Sequence, residues 1–247
     1  MITLEVCANS LKSALAAQVG GAVRVELCDN LGEGGTTPSA GTIIQARKQL
    51  DIQLFVIIRP RGGDFLYDDI EYQIIERDIR FCGEAGCDGV VFGILDRQGN
   101  VDFERNSKLV EIANSYGMKT TFHRAIDRCN DIIGSLDAVI EAGFDRILTS
   151  GGYETALLGA DVIRKMIEKS EDRISIQPGG GITEDNIQEL VSKTGLSEFH
   201  GSFRSRYPSK MEYWNNTIND PQSEKEIWQT DEAKVKNVIT LANQIKT

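Results

Sequence analysis

"ITLEVC" spans residues 2–7, and a near-echo, "VRVELC", spans residues 23–28. In each, a glutamate stands two positions before a cysteine. Side chains alternate faces along a strand, so each Glu-x-Cys pair shares one face. Ile2, Leu4 and Val6, like Val23, Val25 and Leu27, occupy the other face. In a closed parallel barrel the outward face packs on helices and the inward face lines the interior. The apolar faces therefore belong against helices. Glu5, Cys7, Arg24, Glu26 and Cys28 are left pointing inward.

The rest of the chain supports a barrel. Short apolar runs near 2–7, 22–28, 53–59, 88–93, 118–123, 144–149, 173–178 and 198–201 read as strands. Amphipathic stretches near 9–19, 38–50, 68–86, 103–116, 130–142, 155–169 and 184–194 read as helices, with a last one at 231–245. Thr37-Pro38 and Thr183 are expected helix starts, and Gly20, Gly86, Gly117 and Gly143 expected stops. "EAGCDGVVFG" at 84–93 resembles "EAGFDRILTSG" at 141–151, and "QVGGAVRVEL" at 18–27 shares their form. Repeated strand–helix units predict a parallel sheet, and eight of them predict a TIM (β/α)8 barrel, an α/β fold. The rival is an open doubly wound sheet. We expect a single domain over residues 1–247. Residues 203–230 are expected to be an irregular insertion or arm, with Met211, Tyr213, Trp214 and Trp228 in a subunit contact or packed loop rather than a lid.

Composition narrows the function. A net charge of −10 and a pI near 4.8 oppose a general affinity for nucleic acid or anionic membranes. No apolar run approaches the roughly 20 residues that span a bilayer, and a strand starting at residue 2 predicts no signal peptide. The five cysteines are scattered without C-x-x-C, which predicts free thiols in a reducing, cytoplasmic setting. Cys82 and Cys87 are expected in the core.

The same parity puts Arg59, Thr121, His123, Gln177 and His200 inside later strands. Charged groups are costly to bury unless paired or hydrated. Gathered at the C-terminal mouth, Glu5 and Glu26 are expected to pair with Arg59 or Arg124. Glycines follow strands six to eight: "SGG" at Ser150, Gly151 and Gly152; "PGGG" with Gly179, Gly180 and Gly181; and "HGS" ending at Ser202. Loops after strands seven and eight commonly hold phosphate, so these positions are expected to bind an anion.

"LEVCANS", "GGAVRVELCDNLGEGGTTPS", "RPRGGDFLY", "GILDRQGNVD", "FHRAID", "ILTSGG" and "GGGI" together strongly resemble the CutC family of copper homeostasis proteins. The resemblance runs through nearly the whole barrel and thins in the tail. It implies a TIM barrel, a cytoplasmic location, homo-oligomers (we expect a dimer) and a link to copper tolerance. The shared polar positions are Glu5, Cys7, Glu26, Cys28, Arg59, His123, Arg124, Ser150 and His200. Three functions follow as expectations. The first is Cu(I) binding on Cys7 and Cys28, because Cu(I) prefers thiolates. The second is acid–base or lyase catalysis on a small anionic or phosphorylated substrate. There Glu5 or Glu26 would be the base, His123 or His200 the acid, and Arg59 with Arg124 the anion clamp. The third is an interaction protein on a vestigial barrel.

Overall fold

The computed structural model describes residues 1–215, 217 and 225–245. Strands and helices alternate as β1 (Thr3–Ala8), α1 (Leu11–Val19), β2 (Arg24–Leu27), α2 (Ala40–Gln49), β3 (Gln53–Ile57) and α3 (Asp69–Glu84). Then follow β4 (Gly89–Phe92), α4 (Phe103–Ser115), β5 (Lys119–Phe122), α5 (Ser135–Glu141), β6 (Arg146–Thr149) and α6 (Ala160–Ser170). β7 (Ser175–Pro178), α7 (Ile187–Thr194) and β8 (Glu198–Gly201) complete the sheet. The eight strands pair in parallel, with β8 beside β1, and a bridge between Gly179 and His200 joins the two ends. This is the expected TIM barrel. No helix among the described residues is long and apolar enough to cross a membrane.

Leu4, Val6, Val25 and Leu27 are buried in one continuous core with helix residues such as Ala14, Ala17, Ile43 and Ala46. The apolar side of β1 and β2 thus meets the helices. Inside the barrel the large filler is Phe55, and Gly89 on the adjacent strand makes room for it. A methyl at Gly89 would come within 2.5 Å of the Phe55 ring. Cys82 and Cys87 belong to the core, as expected.

Two helix starts differ from expectation. The α2 cap is Ser39, whose side chain accepts from the Thr42 N–H; Thr37 Oγ1 instead accepts from the Arg59 N–H at 2.9 Å. α7 begins after Asn186, and Thr183 donates its own N–H to the Asn186 side chain. The expected insertion before the last helix has ordered ends. Its ends pair as an antiparallel ribbon, β9 (Arg204–Pro208) with β10 (Glu226–Thr230), before α8 (Glu232–Ala242). Arg204 and Arg206, two apart on β9, share one face of the ribbon, and both guanidinium groups stack on the Trp228 ring of β10. Residues 216 and 218–224 of that insertion lie outside the described residues.

Candidate functional site

The inward side chains form two levels. At the lower level Arg24 bonds the Glu5 carboxylate through Nε and Glu198 through Nη2 at 2.5 Å. Glu198 also accepts from Arg146 Nε at 2.6 Å and from the Ser175 hydroxyl. With its amide turned to suit its neighbours, Gln177 donates to Glu5 Oε1 and accepts from Arg24 Nη2. Arg24 and Arg146 also lie over the Phe55 ring. Burial disfavours the ionised form of both carboxylates, yet the guanidinium charges outweigh it and hold Glu5 and Glu198 below the ordinary carboxylate range. Arg59 and Arg124 take no part, contrary to expectation, because Arg24 is on the strand next to Glu5 and reaches it first.

Above this level, His200 on β8 places Nδ1 2.8 Å from Glu5 Oε1 and Nε2 3.6 Å from Glu26 Oε2. Burial would push the imidazole down, but hydrogen bonds to Cys7 and Glu5 and the charges of Glu26 and Glu5 raise it well above its ordinary value. Nδ1–H therefore donates to Glu5. Burial raises Glu26, against the pull of His200. Cys7 Sγ lies 3.4 Å from Cys28 Sγ, and both thiols are free and buried. Contact with Cys28, then burial, raises Cys7 well above the usual thiol value. The ligating atoms of Cys7, Glu26 and His200 all lie within 4.8 Å of one another.

These groups open into a cavity of about 500 Å³ at the C-terminal mouth. Glu26, Arg59, His123, Arg124, Gly180, Gly181, His200, Ser202 and Cys7 line it; Glu5, Cys28, Ser150, Gly151, Gly152 and Gly179 do not. Glu5 lies beneath His200, so it orients that imidazole and is out of reach as a base for a bound molecule. The Ser150–Gly152 turn is no anion cradle either, because the protein's own carboxylate fills it. Asp127 accepts from Thr149 Oγ1 (2.6 Å), from the Ser150 and Gly152 N–H groups (3.1 and 3.0 Å) and from Ser150 Oγ (3.0 Å). It also holds Arg124 Nε at 2.8 Å, while Arg124 Nη2 donates to Ser150 Oγ. Gly179 carries no free face, since a Cβ there would press on Leu148 at 2.6 Å.

His123 is the second correction to the acid–base assignment. Its Nδ1 accepts from the Ala125 N–H at 3.3 Å, which puts the ring proton on Nε2. Burial, aided by the Arg59 charge, pushes the imidazole down to about 3. At neutral pH it is a neutral hydrogen-bond donor and not a cationic acid. In the unfolded chain it would bind a proton below about pH 6.5. Its contribution to stability is therefore complete above that value and falls as the pH drops toward 3. Nitrogen-15 spectra of the folded protein at about pH 5 are expected to show His123 as the neutral Nε2–H tautomer. An ordinary titration near 6.5 would refute the closed environment.

Sequence comparison places this geometry in a family. The CutC family model matches residues 2–205. The chain belongs to the CutC family. It is 42% identical over 246 residues to the Homo sapiens copper homeostasis protein cutC homolog, covering 98% of this chain and 89% of the human one. It is 44% identical over 238 residues to a family protein CutC of Xanthomonas campestris pv. campestris (strain B100), covering 96% and 98% of the two chains. The crystal structure of a CutC protein from Streptococcus agalactiae superposes with a TM-score of 0.77 at 38% identity, over 82% of this chain and 99% of that one.

In this CutC-family chain the sequence reading missed Glu198, Arg146, Asp127 and Arg204. Parity alone would have found Glu198, which stands two residues before the inward His200 on the same strand. Asp127 sits in a 3₁₀ turn after β5, where no strand parity applies.

Proposed function

We propose that this chain serves copper homeostasis by holding Cu(I) as cargo at the barrel mouth, on Cys7 and Cys28 with His200 as third ligand. The observation that carries this reading is the 3.4 Å approach of two reduced, buried sulfurs, one of which, Cys7, lies within 4.8 Å of the His200 imidazole. Thiolates are the preferred partners of Cu(I), and the ligands must shed their protons on binding. The Glu5 carboxylate bonded to His200 Nδ1 fixes the ring with Nε2 facing Cys7 and Glu26, as carboxylates commonly do for metal-binding histidines. The five free thiols suit a reducing compartment, and we place the protein in the cytoplasm on that ground.

Competition against a colorimetric Cu(I) chelator under reducing conditions tests the site. One equivalent should bind to the native chain. Cys7→Ser and Cys28→Ser should each weaken binding by about tenfold or more, in line with losing a principal ligand. Native-like affinity in both serine variants would refute the assignment.

A further inference from the structure

The cavity is far larger than one ion requires, and its other wall is made of unsatisfied donors. Arg59 is 4% exposed. It donates Nη1 to the Glu33 and Gly35 carbonyls and Nη2 to the Gly63 carbonyl, and it has no carboxylate partner among the described residues. Its Nε, the His123 Nε2 and the Arg204 Nε are all buried without a hydrogen-bond partner among the described residues. All three side chains line the same cavity. Arg204 stacks on Trp228 and forms no ion pair among the described residues. A buried cation without counter-charge is costly, and an unmade hydrogen bond adds to that cost.

The strand order spreads these donors around the mouth. Arg59 follows β3 and His123 follows β5, whereas Gly180 and Gly181 follow β7 and Arg204 follows β8. Both glycines have positive φ and bare backbone toward their neighbours. A Cβ at Gly180 would lie 3.4 Å from Arg124 Nη1, and one at Gly181 would meet Thr155 at 2.7 Å. Arg124 is pinned by Asp127 through Nε and turns Nη1 toward Gly180. Bare glycine backbone beside guanidinium groups suits the three oxygens of a phosphate. The His123 Nε2–H with Arg59 suits an acceptor oxygen on the far side.

We infer that the mouth binds a small molecule with a phosphate ester at one end and a carboxylate or carbonyl oxygen at the other. The phosphate lies against Gly180, Gly181, Arg124 and Arg204, and the second oxygen against His123 and Arg59. A cavity of about 500 Å³ falls within the range of small-molecule sites. None of these groups is a proposed copper ligand, so the two sites stand or fall separately.

Calorimetric titration of the reduced, copper-free protein with three probes tests this: 3-phosphoglycerate, glycerol phosphate and glycerate. The first carries both groups, and each of the others lacks one. 3-Phosphoglycerate should bind at least about tenfold more tightly than either, the size of one charge-assisted hydrogen bond. His123→Phe should close the gap between 3-phosphoglycerate and glycerol phosphate. Arg204→Met, beside the exposed ribbon, should weaken both phosphate compounds, and it keeps the test open if the histidine variant fails to fold. Equal affinities for the three probes, no heat at millimolar concentrations, or phosphate binding indifferent to Arg204→Met would each overturn the inference.

Discussion

Arg24→Met is expected to lower the unfolding free energy by about 3–5 kcal/mol, because it leaves two buried carboxylates without their shared cation. Glu5 and Glu198 are 1% and 6% exposed, so water cannot take the place of the guanidinium. For a chain of this length that loss corresponds to a fall of roughly 6–20 °C in melting temperature. The same network sets a pH dependence. Both carboxylates are held below their ordinary values, so their stabilisation is present above about pH 4.5 and is lost as the pH falls through the depressed folded-state values. Acid should therefore narrow the difference between native and variant proteins. A single variant melting within a degree or two of the native protein at neutral pH would contradict this account.

Asp127→Ala is the second large effect, at about 3 kcal/mol, because several charge-assisted hydrogen bonds end on this one carboxylate. The carboxylate is only 5% exposed, and removing it strands the Ser150 and Gly152 N–H groups, which have no other acceptor among the described residues. Arg124 loses its Nε partner at the same time. The vacated turn then has the character of an anion-binding nest. Sulfate should accordingly raise the melting temperature of the variant more than that of the native protein. Equal responses to sulfate would show that the turn refolds around other acceptors.

The barrel was readable because its first two strands are unambiguous. Ile2, Leu4, Val6, Val25 and Leu27 leave only one side for the helices, and Glu5, Cys7, Glu26 and Cys28 follow onto the other. The contents of the mouth were readable in the same way, since parity needs only a strand and one known face. The pairings were not. Which cation meets Glu5 depends on register between neighbouring strands, which sets Glu5 opposite Arg24 on β2 and His200 on β8. Periodicity within one strand carries no register. The glycine turns divided for a related reason: "SGG" and "PGGG" look alike as text, but Asp127 fills the first, whereas Gly180 and Gly181 of the second face open space. The ribbon at β9 and β10 escaped notice because the two segments lie far apart in an insertion of mixed polarity.

His200 reaches Glu5 across 195 positions of chain. During synthesis the two thiols of β1 and β2 emerge early, whereas the imidazole and Glu198 come only with β8. A nascent chain therefore carries the sulfurs without their nitrogen neighbour, and Arg24 without its second carboxylate. The eighth barrel strand closes the cylinder and brings the imidazole and Glu198 to their partners in one event, so the polar interior is assembled only when the ring of strands is complete.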